Sequence, residues 1–272
     1  MNPRPSLACR AFTLIELLVV MGIIAILMVL VAPAFTNLKS AGDVTGAAYT
    51  VKSVLDQART YAMANNTYTW VGFYEEDVTQ PSTNPPTPGT GRLVMSIVAS
   101  KDGTTVYDPN SAANPDPINP TKLSQIGKLV KIDNVHLPLF AVGTGTGDAF
   151  DTRPTLQSDP FGVGYNDSRF GEINVASPTA PTTNSKFPFW YPLTAASQAQ
   201  AQYYFRKTLQ FSPTGVSKIN STYDMRRVVE IGLLPTHGSL VPTPSPSAGN
   251  YPGNVVAIQI AGAGGSVIIY RR

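Results

Sequence analysis

A long apolar segment near the start of the chain is the feature that most limits its folding. It begins within CRAFTLIELLVVMGIIAIL (residues 9–27), and residues 17–38 contain no Asp, Glu, Lys or Arg. Every residue from Leu17 to Ala32 is apolar or glycine. Because a helix needs about 20 apolar residues to cross a bilayer, this segment is long enough to enter or cross a membrane.

Glu16 stands directly before the apolar run, where a charge has a cost. A charge at the centre of a membrane helix costs about 2.5–3.5 kcal/mol on insertion scales, and less near its end. The run is longer than the apolar core of a secretory signal peptide, which has about 7–15 residues. A lipoprotein signal would place the apolar core before Cys9, whereas here it follows. A plain membrane anchor fits the hydropathy but leaves Glu16 unexplained.

The segment AFTLIE (residues 11–16), followed by the apolar run, resembles the N-terminal cleavage and methylation motif of type IV prepilins and type II secretion pseudopilins. In that family a prepilin peptidase cuts before the phenylalanine and methylates the new amine. The resemblance places the cut between Ala11 and Phe12 and makes Glu16 the fifth residue of the mature chain. Ala11 replaces the glycine that usually precedes the cut. Pro33 matches a proline of these helices and predicts a bend, because proline removes a backbone donor.

The resemblance also implies a role for Glu16 in assembly. Cleavage creates a positive amine at Phe12, and staggered parallel helices in a filament can bring that amine to the Glu16 carboxylate of a neighbour. Two unit charges about 4 Å apart attract by about 4 kcal/mol at an effective dielectric of about 20. This attraction is large enough to offset the insertion penalty. The alternative is that Glu16 only extends to the lipid headgroups.

Periodic apolar positions continue the helix beyond Pro33. Six residues recur at spacings of three and four and so share one helical face: Val44, Ala48, Val51, Leu55, Ala58 and Ala62. We predict one helix over residues 12–66, with 12–35 in the membrane and the second half packed on a sheet. Residues 1–11 are the predicted leader, which is cleaved, and residues 67–272 the predicted periplasmic, β-rich globular domain.

Seven strand-like runs follow the helix, and the last two alternate like an antiparallel hairpin. They cover residues 68–76, 92–100, 128–137, 203–212, 226–234, 254–260 and 266–272. Loops rich in Pro, Thr, Asn and Ser separate them. One long helix and one mostly antiparallel sheet make an α+β architecture, which the resemblance identifies as a pilin-like fold.

A second resemblance concerns the globular part. Residues 53–73, 209–219 and 255–272 are similar to the helix-to-strand segment, the Pro-x-Gly turn and the closing hairpin of H-type pseudopilins and related minor pilins, the GspH/FimT group. The chain is longer than expected for that group. The additional residues fall in the segments 77–128 and 140–203.

The sequence offers few groups for catalysis. Cys9, the only cysteine, lies in the leader, so no disulfide is expected in the mature protein. His136 and His237 are far apart, and each is interpreted as a structural or surface residue. We therefore expect no enzyme activity and no cofactor. Calcium is the exception considered: a loop at residues 108–117 offers Asp108, Asn110 and Asp116, without the spacing of a known calcium loop.

Aromatic residues and arginine pairs are clustered at a few places in the sequence. Trp70, Tyr74 and the aromatic side chains of KFPFWYP (residues 186–192) form either a contact surface or, as we favour, a buried cover for the sheet. The pairs Arg226–Arg227 and Arg271–Arg272 are interpreted as solvated strand ends. A DNA-uptake pilin would need them in one basic stripe, and the near-neutral net charge favours that interpretation less. No nucleic-acid partner is expected unless the protein is such a pilin.

These features lead to one functional hypothesis and one alternative. The first is a structural minor subunit of a type II secretion filament, in a protein with a single-pass anchor in the bacterial inner membrane and a periplasmic C-terminal domain. Its expected partners are the prepilin peptidase, other filament subunits and the membrane. The alternative is a minor type IV pilus subunit involved in pilus assembly, adhesion or DNA uptake.

Overall fold

The computed structural model describes residues 14–105, 118–145, 147–157, 188–219, 226–241, 251 and 253–272, and the side chains of residues 29–43 lie outside that description. The chain divides into two compact units, Met1–Lys39 and Ser40–Arg272. The predicted boundaries after residues 11, 35 and 66 are not tested by this division and stay predictions.

One α-helix, α1, covers Leu14–Ala64 without interruption and therefore includes Pro33. Its portion in the second unit carries the predicted apolar stripe. All six of those side chains are buried, with Leu55 and Ala58 at 0% exposure. The prediction that the helix packs on the sheet through this stripe is confirmed.

The described residues of the second unit form ten strands. They are β1 (Thr69–Asp77), β2 (Gly91–Ser100), β3 (Leu123–His136), β4 (Phe189–Tyr191), β5 (Tyr203–Phe205), β6 (Lys207–Phe211), β7 (Ser217–Lys218), β8 (Val228–Pro235), β9 (Val256–Ala261) and β10 (Val267–Arg271). Eight form one antiparallel sheet in the order β10-β9-β8-β3-β2-β1-β6-β7, and β4 pairs with β5 separately. The predicted α+β class is confirmed.

The sheet has two parts that meet at a short junction. Strand β3 pairs with β2 from Gly91 to Ser100, but it pairs with β8 only through Val135 opposite Pro235 and His136 opposite Leu234. A second contact joins the two parts elsewhere: the Ser217 amide of β7 donates to the carbonyl of Gly262, which follows β9, at 2.9 Å. The two parts also share the apolar core around α1.

The face of the sheet toward α1 is apolar across both parts. Its buried side chains include Val71, Phe73, Leu93, Met95, Val135, Leu209, Phe211, Val229, Ile231, Val256, Ile258 and Ile260. Burial of apolar area contributes about 25 cal/mol per Å². This continuous core is therefore the main stabilising contact between the helix and the sheet.

Described residues from the connections between strands cover the other face of the sheet, which we call the outer face. Strands β4 and β5 lie over β1 and β2, where Phe189, Tyr203 and Phe205 pack with Trp70 and Val94.

The segment 137–156 covers β8 and β9 through Phe140 and Phe150, which pack with Leu234 and Ala257. These described residues thus form a second layer opposite α1.

The structure confirms some of the remaining expectations and corrects others. The aromatic cluster is buried, as favoured, at Trp70, Phe189 and Trp190. Arg226 is only 4% exposed and is not a solvated strand end, whereas Arg227 is exposed.

Strand bounds also differ from the predicted ones. Strand β3 starts five residues earlier than predicted, at Leu123, and the predicted strand 203–212 is divided at Arg206 into β5 and β6. The short strands β4 and β7 were not predicted.

Candidate functional site

The first unit carries a helix surface that is apolar on all sides. Its large apolar side chains from Leu14 to Met28 are between 43% and 82% exposed. A helix that is hydrophobic on every side is typical of the interior of a larger assembly or of a membrane span. This segment therefore presents the kind of surface that other helices or lipid would cover.

Glu16 lies in the first turn of α1, and its side chain is exposed among these apolar residues. A carboxylate at a helix N-terminus is stabilised there by the helix dipole. Ala11 and Phe12, the predicted processing residues, lie outside the described residues. Pro33 lies inside α1, and the bend predicted there stays a prediction.

The hydropathy of a helix indicates whether it can span a membrane, and this property applies to the helices of the described residues. Within this part of the chain, none of the helices contains a stretch long and apolar enough to cross a membrane.

The second half of α1 also has an outward face. Opposite the buried stripe, Tyr49 is 60% and Met63 46% exposed, and a groove of about 680 Å³ runs along this face from Tyr49 to Asn65. Lys52 pairs with Asp56 at 3.0 Å and donates to the Val267 carbonyl of β10 at 2.9 Å. The helix is thus attached to the sheet edge while its outward face stays accessible.

Three buried polar clusters occur among the described residues of the second unit, and the sequence interpretation did not predict their contacts. In the first, the Glu76 carboxylate is 2% exposed and contacts four side chains from different elements. Arg92 donates to it at 3.2 Å, the Tyr203 hydroxyl at 3.0 Å, and Lys131 lies 3.5 Å away. The Ser82 hydroxyl also donates to it. Glu76 therefore joins the 78–90 loop and β5 to the sheet.

The second cluster attaches the segment 137–157 to the outer face. The Arg153 guanidinium, 2% exposed, binds both oxygens of Glu230 at 2.6 and 3.1 Å. It also donates to the carbonyls of Phe150 and Ala141, each at 2.6 Å. Gln259 donates to Glu230 at 2.9 Å. All these contacts converge on one buried charge pair.

The third cluster lies at the junction of the two parts of the sheet. One oxygen of Glu75 accepts from the Leu137 amide at 3.0 Å and lies 3.0 Å from Nδ1 of His136. Glu75 is 1% and His136 9% exposed. His136 is buried and His237 is exposed, and their interpretation as structural or surface residues stays a prediction.

Some of these groups left a signal in the sequence. Alternation within β1 places Glu76 on the same side as Trp70 and Tyr74. This shared side was the signal that could have predicted the burial of Glu76. Arg153 and Glu230 left no such signal, because 77 positions separate them.

A metal site needs several ligating side chains close together. No group of three or more His, Cys, Asp or Glu side chains able to hold a metal occurs among the residues that the structure describes. The loop with Asp108, Asn110 and Asp116 lies outside them, so the calcium site stays a prediction.

Comparison with known proteins bears on the N-terminal segment. The family model described as the prokaryotic N-terminal methylation motif matches residues 7–32, which include Ala11, Phe12 and Glu16. No curated protein and no solved structure matches the chain. The motif covers under a tenth of the 272 residues. It supports a type IV pilin or pseudopilin subunit, processed by a prepilin peptidase and assembled with other subunits.

Proposed function

We propose that this protein is a minor pseudopilin of the H type, which takes part in protein export by a bacterial type II secretion filament. Residues 12–35 anchor it in the inner membrane as a single span, with the C-terminal domain in the periplasm, until it is extracted into the filament. Its role is structural, without enzyme activity or a cofactor. The H-type assignment rests on the resemblance of residues 53–73, 209–219 and 255–272.

One observation carries the proposal. The methylation motif coincides with an exposed apolar helix that has a single acidic residue, Glu16, at its start. The same helix then continues to a stripe that is fully covered by the sheet. One half thus has its own core, and the other presents apolar surface for neighbouring subunits or lipid.

Glu16 is the residue that links this surface to assembly. After cleavage the Phe12 amine precedes it by four residues, so the amine of one subunit can pair with the carboxylate of another. A buried charge without its partner costs about 3–5 kcal/mol. Pairing therefore favours the filament over the isolated subunit and selects one register.

A minor type IV pilus subunit is the second candidate, because the methylation motif is common to both classes. The structure gives its DNA-uptake form less support, since Arg226 is buried and does not extend an exposed basic stripe with Arg227. Neighbouring genes separate the two candidates. Secretin and secretion components favour the first, and retraction or competence components favour the second.

The experiment tests processing and assembly separately. Mass spectrometry of the protein expressed with a prepilin peptidase should give a mature chain that begins at N-methylated Phe12. A chain that begins after residue 30 would show cleavage by an ordinary signal peptidase. Crosslinking to other filament subunits then compares Glu16→Ala with the native chain.

We expect Glu16→Ala to insert and be processed normally but to be lost from crosslinked filaments. Asp56→Ala is the matched control, since it removes a carboxylate from the same helix outside the apolar segment. Incorporation of Glu16→Ala at the native level would contradict the pairing role. Equal losses in both variants would show a general effect on α1.

A further inference from the structure

A polar cleft lies where α1 ends, at the pole of the second unit away from residue 40. It has a volume of about 540 Å³, and its walls include Tyr61, Asn65, Asn66, Lys101, Asp102 and Ser124. This volume falls within the range of about 300–1,000 Å³ that is typical of small-molecule sites. Neither the methylation motif nor the predicted assembly residues account for this cleft.

The frame of the cleft is fixed by hydrogen bonds. The Thr67 amide donates to the Ala62 carbonyl at 3.0 Å, and the Thr67 hydroxyl donates to the Ser100 carbonyl at 2.8 Å. The Lys101 amide donates to the Lys122 carbonyl at 2.9 Å. The end of the helix and the end of β2 are therefore held in one arrangement before any ligand binds.

Asp102 is the charged acceptor at this site. Its Oδ1 accepts from the Ser100 hydroxyl at 2.8 Å, the Thr104 amide at 3.0 Å and the Thr104 hydroxyl at 2.7 Å. The Thr104 hydrogen bonds, with those of Ser100 and the charge of Lys122, lower the pKa of Asp102 to about 2. The carboxylate is therefore ionised and fixed through Oδ1, so that Oδ2 is the oxygen left to accept from a ligand.

The charges around the cleft restrict the chemistry of a ligand. Lys101 and Lys122 oppose the binding of a cation beside Asp102, and Asp102 opposes an anion. A neutral ligand with several hydroxyl groups avoids both penalties. Such a ligand can donate to a carboxylate, exchange hydrogen bonds with the Asn65 and Asn66 amides, and place its C–H groups against the Tyr61 ring.

We propose that this cleft binds a neutral saccharide of one or two rings. Asp102 accepts hydrogen bonds from the sugar hydroxyls, and Tyr61 provides the apolar wall. The lining of the cleft includes none of the predicted processing or assembly residues. Sugar binding there is separate from assembly, and its test does not depend on the type of filament.

The test uses the full chain in a zwitterionic detergent without a sugar headgroup. Saturation-transfer NMR is recorded with maltose, lactose, cellobiose and chitobiose as probes. We expect at least one disaccharide to bind, and Asp102→Asn to weaken that binding about tenfold or more, because hydrogen bonds to a charged group are lost.

Asp77→Asn is the matched control. Asp77 makes the same two contacts with a threonine two residues later, accepting from the Thr79 amide at 2.8 Å and the Thr79 hydroxyl at 2.7 Å, but it lies at the far end of β1. We expect it to bind the probe like the native chain. The proposal is overturned if none of the four probes binds or if both variants bind equally. Calcium binding that depends on Asp102, without any saccharide signal, also overturns it.

Discussion

The two faces of the sheet are covered by different means. On the face toward α1, the contact consists almost entirely of apolar side chains in one continuous core. On the outer face, the apolar contacts form two separate clusters, and buried charges attach the covering segments. The helix is thus held mainly by the burial of apolar surface. The outer layer is held by buried apolar surface together with specific polar contacts.

This difference affects how each face responds to mutation. Apolar burial is non-directional, so its loss scales with the area exposed. A buried ion pair adds little net stability compared with an apolar pair of similar volume, but removing one partner leaves an uncompensated charge. The outer layer should therefore be more sensitive than the helix face to the loss of a single charged group.

The largest effect is expected on the helix face from Leu55→Asp. This side chain is 0% exposed, so the variant buries a carboxylate without a partner. We expect the free energy of unfolding to fall by about 5 kcal/mol or more. Thermal unfolding followed by circular dichroism measures it, with Gln57→Asp on the exposed side of α1 as control. Similar melting of the two variants would contradict the single core.

On the outer face, Arg153→Ala should cost about 3–5 kcal/mol, because Glu230 is left buried without its partner. The loss should concern mainly the covering segment, so we expect increased binding of a hydrophobic dye while α1 and the sheet keep their circular dichroism. Denaturant unfolding measures the free energy. Arg227→Ala, at an exposed position, is the control.

Replacing both Arg153 and Glu230 tests whether the uncompensated charge causes the loss of stability. Arg153→Met combined with Glu230→Leu removes both charges and keeps similar volume. We expect this double variant to recover most of the stability that Arg153→Ala loses. If it is as unstable as Arg153→Ala, the hydrogen bonds to Phe150 and Ala141 matter more than the charge pair.

A smaller effect is expected at Glu76. Tyr203→Phe removes one hydroxyl donor from this carboxylate and should cost about 1.5–3 kcal/mol, the usual value for a hydrogen bond to a charged group. Tyr204→Phe changes the neighbouring residue, on the other side of β5, and should cost less. Denaturant unfolding of both variants would decide this. A larger loss for Tyr204→Phe would place the attachment elsewhere.

The smallest effect concerns pH. Burial, with the charge of Glu76 and the nearby Tyr203, raises the pKa of Tyr74 from 10.0 to about 12. The folded chain therefore holds this proton more tightly than the unfolded chain, so stability is complete below pH 10 and falls as pH rises towards 12. Unfolding measured across this range should show a component that Tyr74→Phe lacks. An unchanged pH profile in that variant would remove Tyr74 as its source.

The same comparison explains which features could be predicted from the sequence. The stripe from Val44 to Ala62 was predictable because helical periodicity is local. The contact of Arg153 with Glu230 was not, because a buried charged residue in a loop has the same sequence signature as an exposed one. Strands of two or three residues, such as β7, are too short to show alternation.

The candidate site divides in the same way. The motif around Glu16 could be recognised from consecutive residues, and the family match covers it. The polar cleft could not, because Tyr61, Asp102 and Ser124 come from three elements that only the fold brings together.

The short junction between β3 and β8 has a consequence for mechanical load. Strands β3 and β8 pair through two residue pairs, and the Ser217 amide adds a hydrogen bond to the Gly262 carbonyl, while the apolar core of α1 includes residues of both parts. A pulling force on this part of the helix is therefore shared by both parts, whereas a force that separates the parts acts on these few hydrogen bonds and on the shared core. A subunit pulled through its helix would pass that load to the sheet through the apolar core.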